Sequence, residues 1–396
     1  MSALVQLAYV LLTLWSHQPP PQADRAAAAQ SYAALAETSY AAALQKAEAL
    51  RTTVDAFCRA PSPELLQQAR TAWVAARAVY GRTEVFRFGN GPIDAKRGGV
   101  EQFINAWPLD EAYIEPADPA VRTGLIRDRA RYPLLNRALL HELNQKGGET
   151  NVCTGWHAIE FMLWGRDVSA TGPGARSATD FAEASGADAE RRREYLQEIT
   201  ALLCQDLAVV ANAWKDAPGT YRAAFVADPQ AAARSMLAGV ALLASFEMAG
   251  ERLSVAIETH DQEEEHSCFS DTTHVDFQAN VRGIAAVLRG GANDAAGSTA
   301  GSSAGNSAGT PATPGLIALV RSADPAAAQA MENALTAAVR AVDDIPAPFD
   351  QAILAPEGSP QRAKLHAALQ ALEALGAATS AGAKALGYTL PTEPQG

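Results

Sequence analysis

The segment Gly155-Trp-His-Ala-Ile-Glu-Phe-Met-Leu-Trp-Gly165 decides how this chain is organised. Between its two glycines only His157 and Glu160 are ionisable, and the other seven residues are apolar. A helix that is apolar nearly all round is a buried helix. His157 and Glu160 are i and i+3 neighbours, so their side chains point the same way. The segment therefore predicts a buried helix that carries one polar pair.

A buried carboxylate without a partner costs several kcal/mol, so Glu160 needs a metal, a histidine, an arginine or a ligand beside it. The simplest interpretation is that His157 and Glu160 satisfy each other as a structural pair. We expect both side chains to be buried, to lie within hydrogen-bonding or shared-ligand range, and to contact residues from the second half of the chain.

Length and charge restrict the possible functions. The chain has 396 residues, which is enough for two domains with a large core. Its net charge of -12 argues against a nucleic-acid partner, which would require a basic face. An acidic protein of this kind is compatible with cation binding.

An apolar run at residues 4–15 is too short to span a bilayer. Its length is typical of the apolar core of a secretory signal, with cleavage after Ala23, although the usual basic start is missing. We therefore predict a signal peptide at residues 1–23, a periplasmic or cell-envelope location, and a protein that is not integral to the membrane.

The remaining sequence predicts an all-α fold, with no convincing period-2 strand pattern. Residues 89–118 read as a long ordered loop, residues 166–186 as a domain boundary, and residues 290–315 as a flexible low-complexity insert. The predicted helices cover residues 25–57, 63–88, 122–144 with an interruption near Pro133, a segment around 155–165, 189–217, 229–264, 275–288, 325–342 and 361–386.

The chain resembles the imelysin family, also called the M75 peptidase family, which includes iron-regulated bacterial envelope proteins. The resemblance is carried by Gly155-x-His157-x-x-Glu160 and by three further blocks, at residues 83–94, 104–113 and 264–274. It implies two tandem four-helix-bundle-like domains, which we place at residues 24–175 and 185–390. It also implies a role in iron or other metal acquisition.

Further metal ligands are available downstream of the first pair. Glu263-x-x-His266 has the spacing that di-iron carboxylate bundles use, and Asp271 and His274 are i, i+3 if that turn is helical. Together with His157 and Glu160, these residues offer ligands for iron, manganese or zinc. The complete di-metal pattern is not recognisable in the sequence.

Glu247 lies in an apolar segment, as Glu160 does, so we expect it to be buried with a basic or hydrogen-bonding partner. Arg252 is a candidate partner for either glutamate. Other polar candidates that support the site are Glu84, Arg87 and Asp94. The alternative role for this second group is a purely structural arginine–carboxylate network.

The favoured function is that of a binding protein. It takes iron or another divalent metal, or a metal complex, between the two bundles and works beside envelope iron-uptake partners. A metallopeptidase with an unconventional site is the first alternative, because the H-E-x-x-H motif of common zinc peptidases is absent and no catalytic residue can be assigned. A non-catalytic interaction protein is the second alternative.

Four cysteines form an even set, as expected for an oxidising compartment. In an up-down bundle the first and fourth helices are neighbours. Cys58 ends the predicted first helix and Cys153 precedes the fourth, so this order predicts a Cys58–Cys153 disulfide. In the second bundle the helix that contains Cys204 is followed by an antiparallel helix whose end precedes Cys268, which predicts a Cys204–Cys268 disulfide.

Overall fold

A computed structural model describes residues 22–291 and 314–394 of the chain. The described residues form helices and loops and contain no β-strand, so the predicted all-α class is confirmed. The predicted signal peptide at residues 1–23 lies outside the described residues except for its last two positions. The predicted insert at 290–315 lies outside them except for two residues at each end.

The first half of the fold is built around the long helix α1. The helices are α1 (Gln22–Arg59), α2 (Pro63–Gly81), α3 (Glu101–Ile104), α4 (Glu111–Ile114), α5 (Gly124–Arg127), α6 (Arg137–Leu143), α7 (Gly155–Trp164) and α8 (Ala187–Ala213). Helix α1 packs against α2 and α8, and α7 also packs against both α2 and α8. The apolar helix α7 thus lies inside the first group of helices.

The second half is built around a helix from Pro229 to Thr259. Its helices are α9 (Tyr221–Ala227), α10 (Pro229–Ala241), a π-helical segment (Leu242–Ser254), α11 (Val255–Thr259), α12 (Thr273–Arg289), α13 (Leu316–Ala323), α14 (Pro325–Asp343), α15 (Phe349–Ile353) and α16 (Pro360–Ala385). Helix α16 packs against α14 and the π-helical segment. The two halves join where α10 packs on α1 and α12 packs on α2.

Four of the long helices begin with the same local chemistry. Each has proline in its first turn, where the missing N–H costs nothing, and a serine or aspartate cap before it. The cap side chains accept a backbone N–H of the first turn in every case. The pairs are Ser62-Pro63, Asp228-Pro229, Asp324-Pro325 and Ser359-Pro360. Local sequence thus sets where these helices start.

Helix ends differ from the sequence prediction at three places. Helix α2 ends at Gly81 and is followed by a 3₁₀ turn at Glu84–Phe86, instead of running to residue 88. The helix predicted at 122–144 is interrupted around Pro133 as expected, but its two parts, α5 and α6, are shorter than predicted. The helix that begins at Pro229 ends at Thr259, because His260 adopts a left-handed conformation with φ 56°.

The packing of α8 bears on the domain boundary. This helix lies against α1 and α7, although it follows the boundary predicted at residues 175–185. We propose that the first domain includes α8 and that the boundary lies between residues 213 and 221. Helix α9 then opens the second domain.

One helix among the described residues, Pro229–Thr259, is long and apolar enough to span a membrane by length and composition alone. Because 67% of its most apolar window is buried inside the protein, it has the character of a core helix. This feature is weak evidence for membrane insertion.

The predicted disulfides Cys58–Cys153 and Cys204–Cys268 are wrong, because all four cysteines are free, buried thiols. The Cys58 thiol faces the carbonyl of Arg193 on α8, whereas the Cys153 thiol faces that of Leu140 on α6. The prediction assumed that α1 and α7 are direct neighbours. In the structure α8 packs against both of them.

Candidate ligand-binding site

All ten residues of helix α7 are buried, as its composition predicts. The helix can start where it does because Gly155 has φ 84° and approaches α3 closely. A Cβ atom at this position would lie 2.4 Å from the carbonyl oxygen of Ile104. The first residue of the Gly-x-His-x-x-Glu motif must therefore be glycine for conformational and steric reasons.

His157 and Glu160 form the predicted buried pair. Their side chains are 0% exposed, and His157 Nδ1 lies 3.0 Å from Glu160 Oε2. Ser270, in the loop before α12, donates to Glu160 Oε1 through its backbone N–H at 3.0 Å and its hydroxyl at 2.7 Å. The predicted burial and the contact with the second half are confirmed. The role of either residue as a ligand stays a prediction.

Burial controls the protonation of this pair. Removal from water raises the pKa of Glu160 to about 8, an effect that the Ser270 hydrogen bonds only partly offset. Burial also holds the pKa of His157 well below its usual value, and the nearby charge of Arg77 lowers it further. At neutral pH the histidine is therefore uncharged and Glu160 retains a proton.

The second ring nitrogen of His157 is the notable orphan of the site. Nε2 is buried and has no hydrogen-bond partner among the described residues. The His157 ring lies 4.9 Å from the Trp107 ring and 4.8 Å from the His266 ring, measured between centroids. An orphaned imidazole nitrogen in a protein interior is uncommon and calls for a ligand or a water.

Arg77 on α2 holds the neighbouring half of the site. Its Nε donates to Asp276 Oδ1 at 2.9 Å, Nη1 donates to Asn105 Oδ1, and Nη2 lies 3.1 Å from His266 Nδ1. Ser267 adds a 2.6 Å hydrogen bond to Asp276. Arg77 is 1% exposed and Asp276 is 2% exposed, so this is a buried ion pair with several supporting hydrogen bonds.

Sequence reasoning did not identify Arg77, Asp276 or Ser270. A signal for Arg77 was present, because it is the single charged residue in the apolar run at residues 72–80. The same reasoning that singled out Glu160 and Glu247 applies to it. The contacts of Ser270 come from a loop distant in sequence, for which no local pattern exists.

A second buried network adjoins the first. Arg252 Nη2 donates to Glu84 Oε2 at 2.6 Å and to Glu247 Oε1 at 2.8 Å, and Arg87 reaches the same two carboxylates at 3.3 and 3.5 Å. Burial opposes the ionisation of Glu84, but the facing guanidinium of Arg252 outweighs it and holds the pKa at about 2. Arg252 thus pairs with Glu247 and Glu84, not with Glu160.

The prediction for Glu247 holds in one part. It has the expected basic partner, yet its side chain is 19% exposed because it reaches the walls of two cavities. Asp94 lies apart from the network. Its carboxylate accepts the backbone N–H groups of Asn90 and Gly91 and shapes the loop that contains them.

The other predicted ligands are separated by the loop after α11. Glu263 is exposed in a 3₁₀ turn whereas His266 is buried, so the two do not form a helical i, i+3 pair. Asp271 has φ 54° and precedes α12, whose first turn carries His274. Burial and then the neighbouring charge of Asp350 raise the pKa of Asp271 to about 7. Asp271 therefore has Asp350 and Asp167 as its charged neighbours, and not His157.

A cavity of about 410 Å³ lies against the His157 site. It lies between the long loop after α2 and the helix that begins at Pro229. His157 does not line this cavity itself, but its ring packs against two residues that do, Trp107 and His266. The residues of the two buried networks that line the cavity, together with Trp107, are Arg87, Asn105, Glu247, Arg252 and His266.

The donor set can be tested against a metal. Among residues 22–291 and 314–394, no group of three or more His, Cys, Asp or Glu side chains could hold an ion. The orphaned Nε2 of His157 and the imidazole of His266 amount to two nitrogen ligands. A metal-binding histidine usually has a carboxylate or a carbonyl at its other ring nitrogen, which orients the ring. Glu160 occupies that position at Nδ1 of His157. Two protein nitrogens do not complete a coordination shell, so they fit a metal ion that keeps most of its ligands from non-protein groups.

The fold and the site together define a class: an all-α protein whose buried His–Glu pair is completed by residues from both halves of the chain. A family model described as Imelysin matches residues 36–378, and the chain belongs to the imelysin family. The resemblance seen in the sequence motifs is thereby confirmed.

Three known proteins are similar to this chain in sequence or in fold. Iron-regulated protein A of Synechococcus elongatus is 25% identical over 333 residues, covering 81% of this chain and 75% of the relative. A Parabacteroides distasonis crystal structure, named for an iron-regulated protein A precursor, has a TM-score of 0.69 at 17% identity and covers 93% of this chain and 96% of its own. An imelysin-like protein from Psychrobacter arcticum 273-4 has a TM-score of 0.64 at 13% identity, with coverages of 94% and 98%.

Proposed function

We propose that this protein binds an iron complex, or a complex of another divalent metal, as a component of metal acquisition in the cell envelope. The observation that carries the proposal is the buried, unpartnered Nε2 of His157 behind the 410 Å³ cavity. The relation to iron-regulated proteins supports iron as the cargo. A predicted signal peptide and a relative named as a precursor support export to the periplasm.

In this proposal each residue has a defined task. His157 and His266 supply imidazole nitrogens to the metal, and a ligand reaches His157 by passing between His266 and Trp107. When a metal binds, the site releases one proton: Glu160 becomes a carboxylate that accepts the Nδ1 hydrogen of His157, and Nε2 is then free to bind. Ser270 keeps the carboxylate of Glu160 in place through its two hydrogen bonds. In the metal-bound form the hydrogen of His266 lies on Nδ1, where Asp276, held by Arg77, accepts it, so that Nε2 of His266 is free to bind.

Loss of metal binding in a His157→Ala variant is the direct test. We expect saturable uptake of iron, zinc or copper by the wild-type protein at neutral pH, measured by equilibrium dialysis and elemental analysis. His157→Ala should weaken uptake by about 100-fold or more, and Glu160→Gln by about 10–100-fold, since it removes the orienting carboxylate. His366→Ala is the matched control, because His366 is 44% exposed on α16.

Two results would reject the proposal. One is the absence of saturable uptake of all three metals by the wild-type protein. The other is equal uptake by the wild type and His157→Ala. Cleavage of casein or insulin that stops on chelation and in His157→Ala would instead support the metallopeptidase alternative. An interaction protein without either activity would leave both assays silent.

A further inference from the structure

A second and larger cavity lies beside the first. This cleft, of about 850 Å³, is lined by the loop after α2, the N-terminal half of α10, and the chain that follows α16. Its volume is within the usual range for small-molecule sites. The two cavities share two wall residues, Arg87 and Glu247. Of the residues that the sequence analysis singled out, Glu247, a predicted ligand, and Arg87 and Asp94, predicted supporting residues, line the cleft.

The loop that forms one wall is held in an unusual conformation. Phe88 and Asn90 have φ values of 66° and 53°, in the left-handed region that a bulky residue such as phenylalanine rarely adopts. Gly89 between them packs so closely on α10 that a Cβ atom would lie 2.3 Å from the hydroxyl oxygen of Ser235. Strain of this kind persists where the surrounding structure imposes it, often at ligand sites.

The carboxylates of the cleft are already engaged. Asp94 accepts the backbone N–H of Gly91 at 2.7 Å, and Asp228 accepts that of Ala231 at 3.0 Å as the cap of α10. Glu247 accepts from Arg252 at 2.8 Å and from Arg87 at 3.5 Å. The acidic residues of this surface therefore serve the protein itself and offer little to a ligand.

Several hydrogen-bond donors of the cleft, in contrast, have no acceptor among the described residues. The Tyr388 hydroxyl has no hydrogen-bond partner among the described residues, although the side chain is only 8% exposed. Arg87 Nε is likewise buried without an acceptor. The exposed Arg234 makes no hydrogen bond or ion pair with the described part of the chain. The other Arg87 nitrogens pair with Glu84, Glu101 and Glu247. Arg234 is therefore the uncommitted guanidinium of the cleft, and with the Tyr388 hydroxyl it matches an anionic ligand.

We propose that this cleft binds a small organic anion with more than one carboxylate. Arg234 and Tyr388 contact the anion, and Arg87 marks the side that faces the His157 cavity. Because Arg87 and Glu247 line both cavities, the cavities are adjacent. In this proposal a ligand that extends past these two side chains places its carboxylates in the cleft and its metal near the imidazoles. The cargo would then be a metal bound to a polycarboxylate chelator. This last step rests on the metal-binding function proposed above.

Metal-free citrate is the probe that tests the cleft independently of the metal. In calorimetric titrations we expect saturable citrate binding by the wild type, weakened about tenfold or more in Arg234→Ala, which removes a charged donor. Tyr388→Phe should weaken it by a smaller factor. Arg321→Ala, an exposed arginine of α13 outside the cleft, is the matched control. His157→Ala should bind metal-free citrate as the wild type does.

Three results would overturn this inference: no citrate binding at millimolar concentration, equal binding by Arg234→Ala and the wild type, or tighter binding of inorganic phosphate than of citrate. Metal uptake without citrate binding would reject the anion-binding role of the cleft and leave the proposed metal site at His157 supported. Citrate binding without metal uptake would do the reverse.

Discussion

Arg77→Ala is expected to lower the free energy of unfolding by about 3–5 kcal/mol, the usual cost of removing one partner of a buried ion pair. The substitution leaves Asp276, 2% exposed, with Ser267 and His266 as its remaining polar partners. It also removes the donors to Asn105 and His266. Urea unfolding of the wild type and the variant at pH 7 measures the difference.

The matched control is Arg51→Ala on α1. Arg51 faces Asp55 at 3.9 Å, and the two side chains are 50% and 36% exposed. An exposed pair of this kind contributes about 0–1 kcal/mol, so the control should unfold almost as the wild type does. Equal stability of Arg77→Ala and Arg51→Ala would contradict the view that Arg77 organises this part of the interior.

The second large effect concerns Glu160 and pH. The folded pKa of Glu160 is about 8, above its usual value of 4.5, because burial disfavours the charged form. Its contribution to stability is therefore fully present below pH 4.5, declines as the pH rises, and is lost above about 8. A shift of this size corresponds to a few kcal/mol, on the order of 3–5.

Glu160→Gln should remove this dependence, because glutamine imitates the protonated acid. It can accept from Ser270 and donate to His157 Nδ1, but it cannot ionise. In metal-free protein we expect the variant to be more stable than the wild type at pH 8.5, by a few kcal/mol, and to lose that advantage near pH 4.5. Glu373→Gln, at an exposed position on α16, is the control. A pH-independent difference would contradict the protonated state assigned to Glu160.

Local sequence predicted the centre of the site well, for a physical reason. A helix of ten residues with two polar side chains i, i+3 apart has few ways to satisfy them, so burial and pairing of His157 and Glu160 could be foreseen. Cap residues such as Ser62 and Asp228 likewise determine helix starts from within the same turn. These features depend on neighbours in the sequence.

The parts that sequence could not supply depend on packing between distant segments. Ser270 reaches Glu160 across 110 positions, and Arg77 reaches Asp276 across 199. The disulfide prediction failed for a related reason, because it assumed that successive helices form one bundle before the next begins. The structure packs α8 against α1 and α7, which separates the cysteines that an up-down order would bring together.

The loop between α11 and α12 illustrates how the two halves cooperate. It supplies His266 and Ser267 to the Arg77 network and Ser270 to Glu160. Glu263, Asp271 and His274, predicted as ligands on the same stretch, lie apart from His157. The sequence pattern predicted metal ligands in this loop, but only the fold shows which of its side chains lie near His157 and Glu160.

X-ray absorption spectroscopy of the metal-loaded protein tests the central claim most directly, because it counts the nitrogen ligands of the bound metal. We predict two imidazole ligands in the wild type, one in His157→Ala and one in His266→Ala, with oxygen ligands from non-protein groups completing the coordination shell. A wild-type spectrum with no imidazole scattering, or one unchanged by His157→Ala, would contradict it.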